Sequence, residues 1–293
     1  MLNTLKVGLM LTALTALLVF MGRAIGGPTG MIIAFGMALL MNVGSYWFSD
    51  KIVLRMSGAR PVGPQEAPDL YRMTEALVQR ANLPMPRLYI IDDPQPNAFA
   101  TGRNPANAAV AVNTGLLNLL SRDEVEGVVA HELAHIKHRD TLTMTVVATV
   151  AGAVMMLADF ARFAAIFGMG GSRDDDEGSN PIVLIAMMIV APLAAMLVQM
   201  AVSRAREYEA DATAARLTGT PQGLMNALAK LERGAQAIPT HSMTPQTAHM
   251  CIVNPLKALG GLANLFSTHP PMDKRIAALA KIAPQPVGAN PWS

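Results

Sequence analysis

The run SRDEVEGVVAHELAHIKH, Ser121–His138, decides how the rest of the chain is read. Ser121 and Glu124 have capping-box spacing, in which a serine hydroxyl and a glutamate carboxylate each satisfy a backbone N–H at a helix start. The spacing therefore predicts a helix from Arg122 through His138. On it His131 and His135 lie four residues apart, on one face and about 6 Å apart along the axis. Their imidazoles can converge on one metal ion, and Glu132 beside them can reach a water on that ion's open position. Zinc held in this way lowers the pKa of its water toward about 7 and polarises a carbonyl, the chemistry of peptide hydrolysis without a covalent intermediate. His138 shares nearly the same face but stands about 10.5 Å of rise from His131, too far for both rings to meet one ion through bonds near 2 Å. Ile136-Lys137 offers no glycine at which the helix would break, so His138 reads as an interface residue or a group behind the ligands.

A third ligand has to come from another element. Arg204–Leu217 supplies it, because Glu207 and Asp211 are four apart and share a helix face. Glu207 would ligate zinc, and Asp211 would hydrogen-bond the far nitrogen of a ligand histidine and fix its tautomer. Glu209 points elsewhere, toward solvent. The competing reading is an acidic face paired with Arg204 or Arg206, and the upstream HELAH weighs against it. The single cysteine, Cys251, excludes an internal disulfide framework and any cysteine-rich metal cage, which leaves histidine and carboxylate to hold a metal.

Working outward, the 293-residue chain is 52% hydrophobic and only 15% charged, with 21 Met, and soluble domains carry nearer a quarter of charged residues. Four stretches lack charge for long enough to cross a bilayer: Val7–Gly22, Ala24–Ser49, Thr141–Ala158 and Gly178–Ser203. Gly26-Gly27-Pro28 reads as the tight turn of a hairpin made by the first two. The third is the weakest, since it reaches Asp159 and Arg162 if extended, and a buried soluble helix is its alternative. The chain thus divides into a membrane hairpin (1–50), a first part of a soluble domain (51–140), a second hairpin (141–203) and a second part of the soluble domain (204–293). Both soluble parts fall on one side of the bilayer. Lys51, Arg55, Arg60, Arg204 and Arg206 adjoin the spans on that side, whereas Ser172–Asn180 carries a single Arg, so the positive-inside rule turns the domain to the cytoplasm. A net charge of +2 and the lack of a long basic stretch interleaved with aromatics exclude nucleic acid as a partner. Nothing in the sequence sets an oligomeric state.

Within the soluble parts, Asp69–Arg80 reads as an amphipathic helix and Arg87–Ile91 and Ala108–Asn113 as strands. Asn97–Gly102 is a strand or turn, and Asn104-Pro105 a loop. Thr220-Pro221 starts a helix that Gly234 stops, a last helix runs from Pro271 or Met272 to Ile282, and Pro284–Ser293 is a loose tail. The fold class is mainly α with a small β component: four transmembrane helices plus a zincin-like α+β catalytic domain.

The order of these features resembles the HtpX-type membrane metalloproteases, bacterial quality-control relatives of the type I CAAX prenyl proteases. It comprises two apolar spans, NAFATG at Asn97–Gly102, HELAH at His131–His135, two more spans, SRAREYEAD at Ser203–Asp211, and HPP at His269–Pro271 followed by Arg275. The resemblance implies one zinc per chain on His131, His135 and Glu207, with Glu132 as catalytic base and Asp211 as a supporting acid. It places Asn97 and Arg275 near a substrate cleft, the strand at Asn97 pairing with an extended substrate, and gives His269 a catalytic role in stabilising the oxyanion. It also implies protein substrates, chiefly misfolded membrane proteins cut on the cytoplasmic side of the bacterial inner membrane. Two other classes compete: a proteolytically idle zinc-binding scaffold, against which an intact Glu132 speaks, and a small transporter, which would place ionisable groups within its spans.

Overall fold

A computed structural model describes residues 2–144, 204–237, 252 and 270–284. The chain divides into two compact units, Met1–Trp47 with Val146–Ala201 and Phe48–Thr145 with Val202–Ser293.

Helix α1, Leu2–Met56, begins in the first unit and is broken where the sequence predicts a turn, at Gly26 and Gly27 (φ 57°, ψ −146°), just ahead of Pro28. Gly27 has the left-handed conformation that only a residue without Cβ adopts at little cost. A Cβ on either Gly22 or Gly30 would run into the carbonyl of the other, so the two halves of α1 touch backbone to backbone beside the turn. Further along, Asn42 Nδ2 donates to Thr15 Oγ1 at 2.8 Å. The helix continues beyond the expected Ser49 boundary because Val53 and Leu54 are buried in its last turns. Among the described residues one stretch, Gly26–Gly44, is helical, long and apolar enough to cross a membrane. The third and fourth apolar stretches lie outside the described residues but for 141–144, as do the loop Ser172–Asn180, Cys251, His269 and all of the tail except Pro284.

The second unit is built on a four-stranded sheet: β1 (Arg60–Val62), β2 (Arg87–Ile91), β3 (Ala98–Thr101) and β4 (Ala109–Asn113). Their order is β1-β2-β4-β3, with β2 and β4 parallel and the other two pairs antiparallel, which leaves β3 as an edge. Helix α2 (Pro68–Ala81) and the site helix α4 (Arg122–Lys137) pack on one sheet face. There Leu88, Ile90, Ala98, Ala100, Val110 and Val112 form one core with Met73, Leu77, Val129 and Leu133. A short helix, α3 (Thr114–Leu119), follows β4, and three more helices complete the unit: α5 (Arg204–Thr218), α6 (Gln222–Ala237) and α7 (Met272–Leu279).

Helix α4 is the centre of this unit, touching α2, α5, α6 and β3. Its capping box forms as expected: Ser121 N–H donates to Glu124 Oε2 at 2.7 Å, and the same carboxylate oxygen takes Lys230 Nζ of α6 at 2.7 Å. Gly127 allows α6 to approach, since a Cβ there would stand 2.6 Å from the Leu224 nitrogen. Distant side chains close two helix C-termini, Lys137 Nζ on the Ala81 carbonyl at 2.8 Å and Arg80 Nη1 on the Leu217 carbonyl at 3.0 Å.

Asn97–Gly102 contributes a strand, one of the two forms expected of it. Other local expectations change. Asn104-Pro105 opens a 3-10 turn, Pro105–Asn107, capped by the Asn104 side chain. Gly234 does not stop α6, which runs on to Ala237; its missing Cβ instead makes room for the Pro96 and Leu119 side chains. Helix α7 ends at Leu279, and Ile282 is reached through a turn closed by its N–H on the Leu279 carbonyl.

Candidate metal centre

His131 and His135 project from α4 as their four-residue spacing requires, and Glu207 projects toward them from the first turn of α5. The imidazole planes stand at 87° with centroids 4.7 Å apart, and the two Nε2 atoms are 3.2 Å apart. Glu207 Oε1 is 3.5 Å from His135 Nε2, and Oε2 is 3.7 Å from His131 Nε2. Ligands bonded at about 2 Å around a tetrahedral ion stand about 3.3 Å from one another. These donor separations therefore suit one small ion, and two imidazole nitrogens with one carboxylate oxygen form a three-ligand set of the kind catalytic zinc takes. All three side chains are buried, at 1–4% exposure. Among the described residues this is the one group of three metal-ligating side chains close enough to share an ion.

Behind the donors, each imidazole meets a carboxylate at its other nitrogen, and each carboxylate is gripped by an arginine. His131 Nδ1 is 3.0 Å from Asp211 Oδ1, and Arg275 clasps Asp211 with Nη2 at 2.6 Å and Nε at 2.8 Å. His135 Nδ1 is 3.3 Å from Asp140 Oδ2, and Arg206 Nη1 donates to Asp140 Oδ1 at 2.8 Å. Arg275 is fully buried, also donates to the Ile252 carbonyl at 3.3 Å, and passes 3.5 Å from Glu207 Oε2.

The charges follow from these contacts. Burial acts to raise the Asp211 carboxyl, but the Arg275 charge and hydrogen bonds outweigh it and hold Asp211 below the ordinary carboxylate range. Burial would depress the His135 imidazole, yet its hydrogen bond to Asp140 and the charges of Glu207 and Glu132 leave it pushed up to about 9. Arg275 keeps its proton even more firmly than usual, burial being outweighed chiefly by Asp211. Glu132 goes the other way: burial raises its carboxyl above the ordinary range, against the two histidines and a hydrogen bond from the Ala100 backbone. Ala100 lies on the edge strand β3, so the Glu132 carboxylate sits where that strand meets the donor group.

The sequence-predicted residues thus fall into two sets. His131, Glu132, His135, Glu207, Asp211 and Arg275 are gathered within one buried cluster. Asn97 stands just ahead of β3, where its carbonyl accepts the Asn113 N–H at 2.9 Å and its own Oδ1 takes the Ala98 N–H at 2.9 Å. Its Nδ2 is buried without a hydrogen-bond partner among the described residues. His138 stays out of the donor group, as its distance demands. It ends α4 with Nε2 3.4 Å from Thr213 Oγ1, and burial depresses its imidazole. Glu209 is exposed. Neither Asp140 nor the role of Arg206 follows from the sequence pattern. The one signal for Asp140 is an acid five residues after His135, beyond the end of the helix, where helical spacing no longer says what faces what.

Fold and site together define a metalloprotease: a buried His-His-Glu group with a glutamate of raised proton affinity beside it, on a helix packed against a sheet whose edge strand reaches that glutamate. The chain belongs to Peptidase family M48, which it matches over residues 64–283. It is 55% identical over 277 residues to "Protease HtpX homolog" of Desulforapulum autotrophicum, which covers 94% of this chain and 89% of that one. To the proteins of the same description in Syntrophobacter fumaroxidans and Burkholderia thailandensis it is 53% identical, over 92% and 97% of its length and 96% and 98% of theirs. Among solved structures the fold is similar to that of S. mikatae Ste24p, with a TM-score of 0.52 at 20% identity; the similarity covers 95% of this chain and 64% of that one.

Proposed function

We propose that this chain is a zinc-dependent endopeptidase of the bacterial cytoplasmic (inner) membrane, a multi-pass protein whose catalytic domain faces the cytoplasm and cleaves misfolded or damaged membrane proteins. The observation that carries the reading is the buried His131, His135 and Glu207 group with Glu132 beside it. The family and the apolar exposed length of α1 support the membrane part of it.

One zinc per chain would be held by the two histidines and Glu207, and when bound it supplies Lewis acidity and a water of lowered pKa. The chain's own residues do the rest. Because burial strengthens its hold on a proton, Glu132 takes one from the attacking water and passes it to the leaving amine. Asp211 and Asp140 keep Nδ1 of the two imidazoles engaged, so that both Nε2 atoms point at the same place. An extended substrate lies along the edge strand β3, entered at Asn97, and brings its scissile carbonyl to Glu132. His269 stabilises the oxyanion, and Arg275 shapes the cleft from behind through Asp211 and Glu207.

The test compares one cleavable segment in two forms, tethered to a membrane span or free in water, with the parent protein and with Glu207→Ala in bilayer discs. The reading expects the tethered form to be cut faster by about tenfold or more, through local concentration. It also expects Glu207→Ala to lose both zinc and cleavage while retaining its helical content. Equal rates on the two substrates would remove the membrane-substrate assignment, and parent-like zinc binding by Glu207→Ala would remove the third ligand.

A further inference from the structure

We propose that Arg206 is a positioning residue for the metal centre, acting through Asp140 on His135, and that this pair sets how tightly the centre holds its metal. The inference rests on the zinc reading above. The geometry is a counterpart of the one at the other histidine: Arg206 Nη1 donates to Asp140 Oδ1 at 2.8 Å, and Asp140 Oδ2 lies 3.3 Å from His135 Nδ1. Both side chains are largely withdrawn from water, at 12% and 3% exposure, so the pair is weakly screened.

Three features show that Asp140 is aimed rather than incidental. Helix α4 ends at Lys137, and Arg139 then adopts φ 59°, a left-handed conformation that sterics disfavour for any residue with a Cβ. That reversal returns the next residue, Asp140, to a histidine one and a half turns back on the helix just left. Second, Arg206 directly precedes Glu207 in the first turn of α5, so one turn of backbone delivers both a metal donor and the group that holds the other side of the centre. Third, the two arginine–aspartate pairs divide the work: Arg275 and Asp211 fix His131, while Arg206 and Asp140 fix His135.

The pair also has a particular place in the chain. Asp140 opens the helical residues 140–144 that lead into the segment 141–203, which holds the third and fourth apolar stretches, and Arg206 is the third residue of the helix that follows it. The Asp140–Arg206 bond therefore joins the two ends of that segment at His135.

Carboxylates and arginines behind a ligand histidine act by holding its tautomer and ring angle, and their loss weakens metal binding about 10–100-fold. The experiment measures zinc affinity of the full-length protein in detergent micelles by competition with a chromophoric chelator. It uses the parent, Asp140→Asn, Arg206→Ala, Arg206→Lys and the Asp140→Asn/Arg206→Ala double variant. Asp140→Asn should bind zinc about 10–100-fold more weakly, Arg206→Ala about tenfold more weakly, and Arg206→Lys within about threefold of the parent. The double variant should lose less than the product of the two single losses, because Arg206 acts on the metal through Asp140. The unfolding midpoint of each metal-free protein is the control for folding, with Arg206→Gln replacing the alanine variant if that one unfolds. Zinc affinity of Arg206→Ala within twofold of the parent, or a double variant whose loss is the product of the two single losses, would overturn the proposal and leave the zinc reading intact. A folded parent that binds no zinc would overturn both.

Discussion

Along α1 the side chains of Phe20, Ile32, Phe35 and Leu40 stand out from the protein, apolar and exposed; along α4 those of His131, Glu132 and His135 are sealed inside it, polar and buried. Each helix reverses the usual placement, and each reversal has its own cause. An apolar surface of that length is costly in water and costs nothing in hydrocarbon, so α1 is built for a different solvent. A buried imidazole pair with a carboxylate is costly in any interior unless a cation or a set of hydrogen bonds compensates it, so α4 is built for an ion. Hydropathy places α1, but it would leave the polar run of α4 at a surface, and what accounts for the burial of that run is its pattern of partners.

A charge placed on the outside of α1 should have the largest effect. Phe35 is near the middle of the Gly26–Gly44 stretch and 48% exposed, and Phe35→Arg should cost about 3 kcal/mol of membrane insertion. The readout is the fraction of chain that resists alkaline extraction from membranes. An unchanged fraction would mean that this face meets water, where a surface substitution stays within about 0.5 kcal/mol.

On the α4 side, pH should sharpen the contrast. The metal-free His135 imidazole is pushed up to about 9, so below that pH its proton competes with zinc for the ring. Lowering the pH therefore weakens binding, by about tenfold per unit and about 100-fold between pH 8 and 6, in a calorimetric or chelator titration. A flat profile over that range would show that His135 carries no proton to displace.

The smallest effect concerns how α4 is held in place. Glu124 is buried, which raises its carboxyl, but the hydrogen bonds from Lys230 and Ser121 outweigh burial and hold it below its ordinary 4.5. A carboxylate depressed by folding contributes stability that is complete above about 4.5 and is lost as the pH falls through the lower, folded value. Lys230 is partly exposed, so the contribution is at most about 1 kcal/mol. Glu124→Gln should lose less thermal stability than the parent on going from pH 7 to about 3.5, and identical losses would show that the clamp contributes nothing.

How much of this was legible in the sequence depends on the distance over which each feature is encoded. Ser121, Glu124, His131 and His135 lie three or four residues from their partners on one helix, and Glu207 and Asp211 likewise, so periodicity alone exposes them. β1 is three residues long and contains Pro61, too short for an alternation to show, and α3 follows β4 directly with no side-chain cap to announce it. Gly234 looks like a terminator and is a packing site, a distinction that depends on Pro96 and Leu119 more than a hundred residues away. Asp140 was hidden by the left-handed turn at Arg139, since spacing rules lapse where the helix ends. Its arginine comes from beyond the segment that separates 140 from 204, a contact that no local pattern encodes.

Helix α4 is polar inside because it binds zinc and activates water. The most direct measurement is metal content together with casein hydrolysis for detergent-purified protein, parent against Glu132→Ala, with and without a chelator. One zinc per chain is expected in both proteins, with chelator-sensitive hydrolysis in the parent alone. Folded parent protein that contains no zinc, or a Glu132→Ala protein that hydrolyses casein at the parent's rate, would contradict that role of α4.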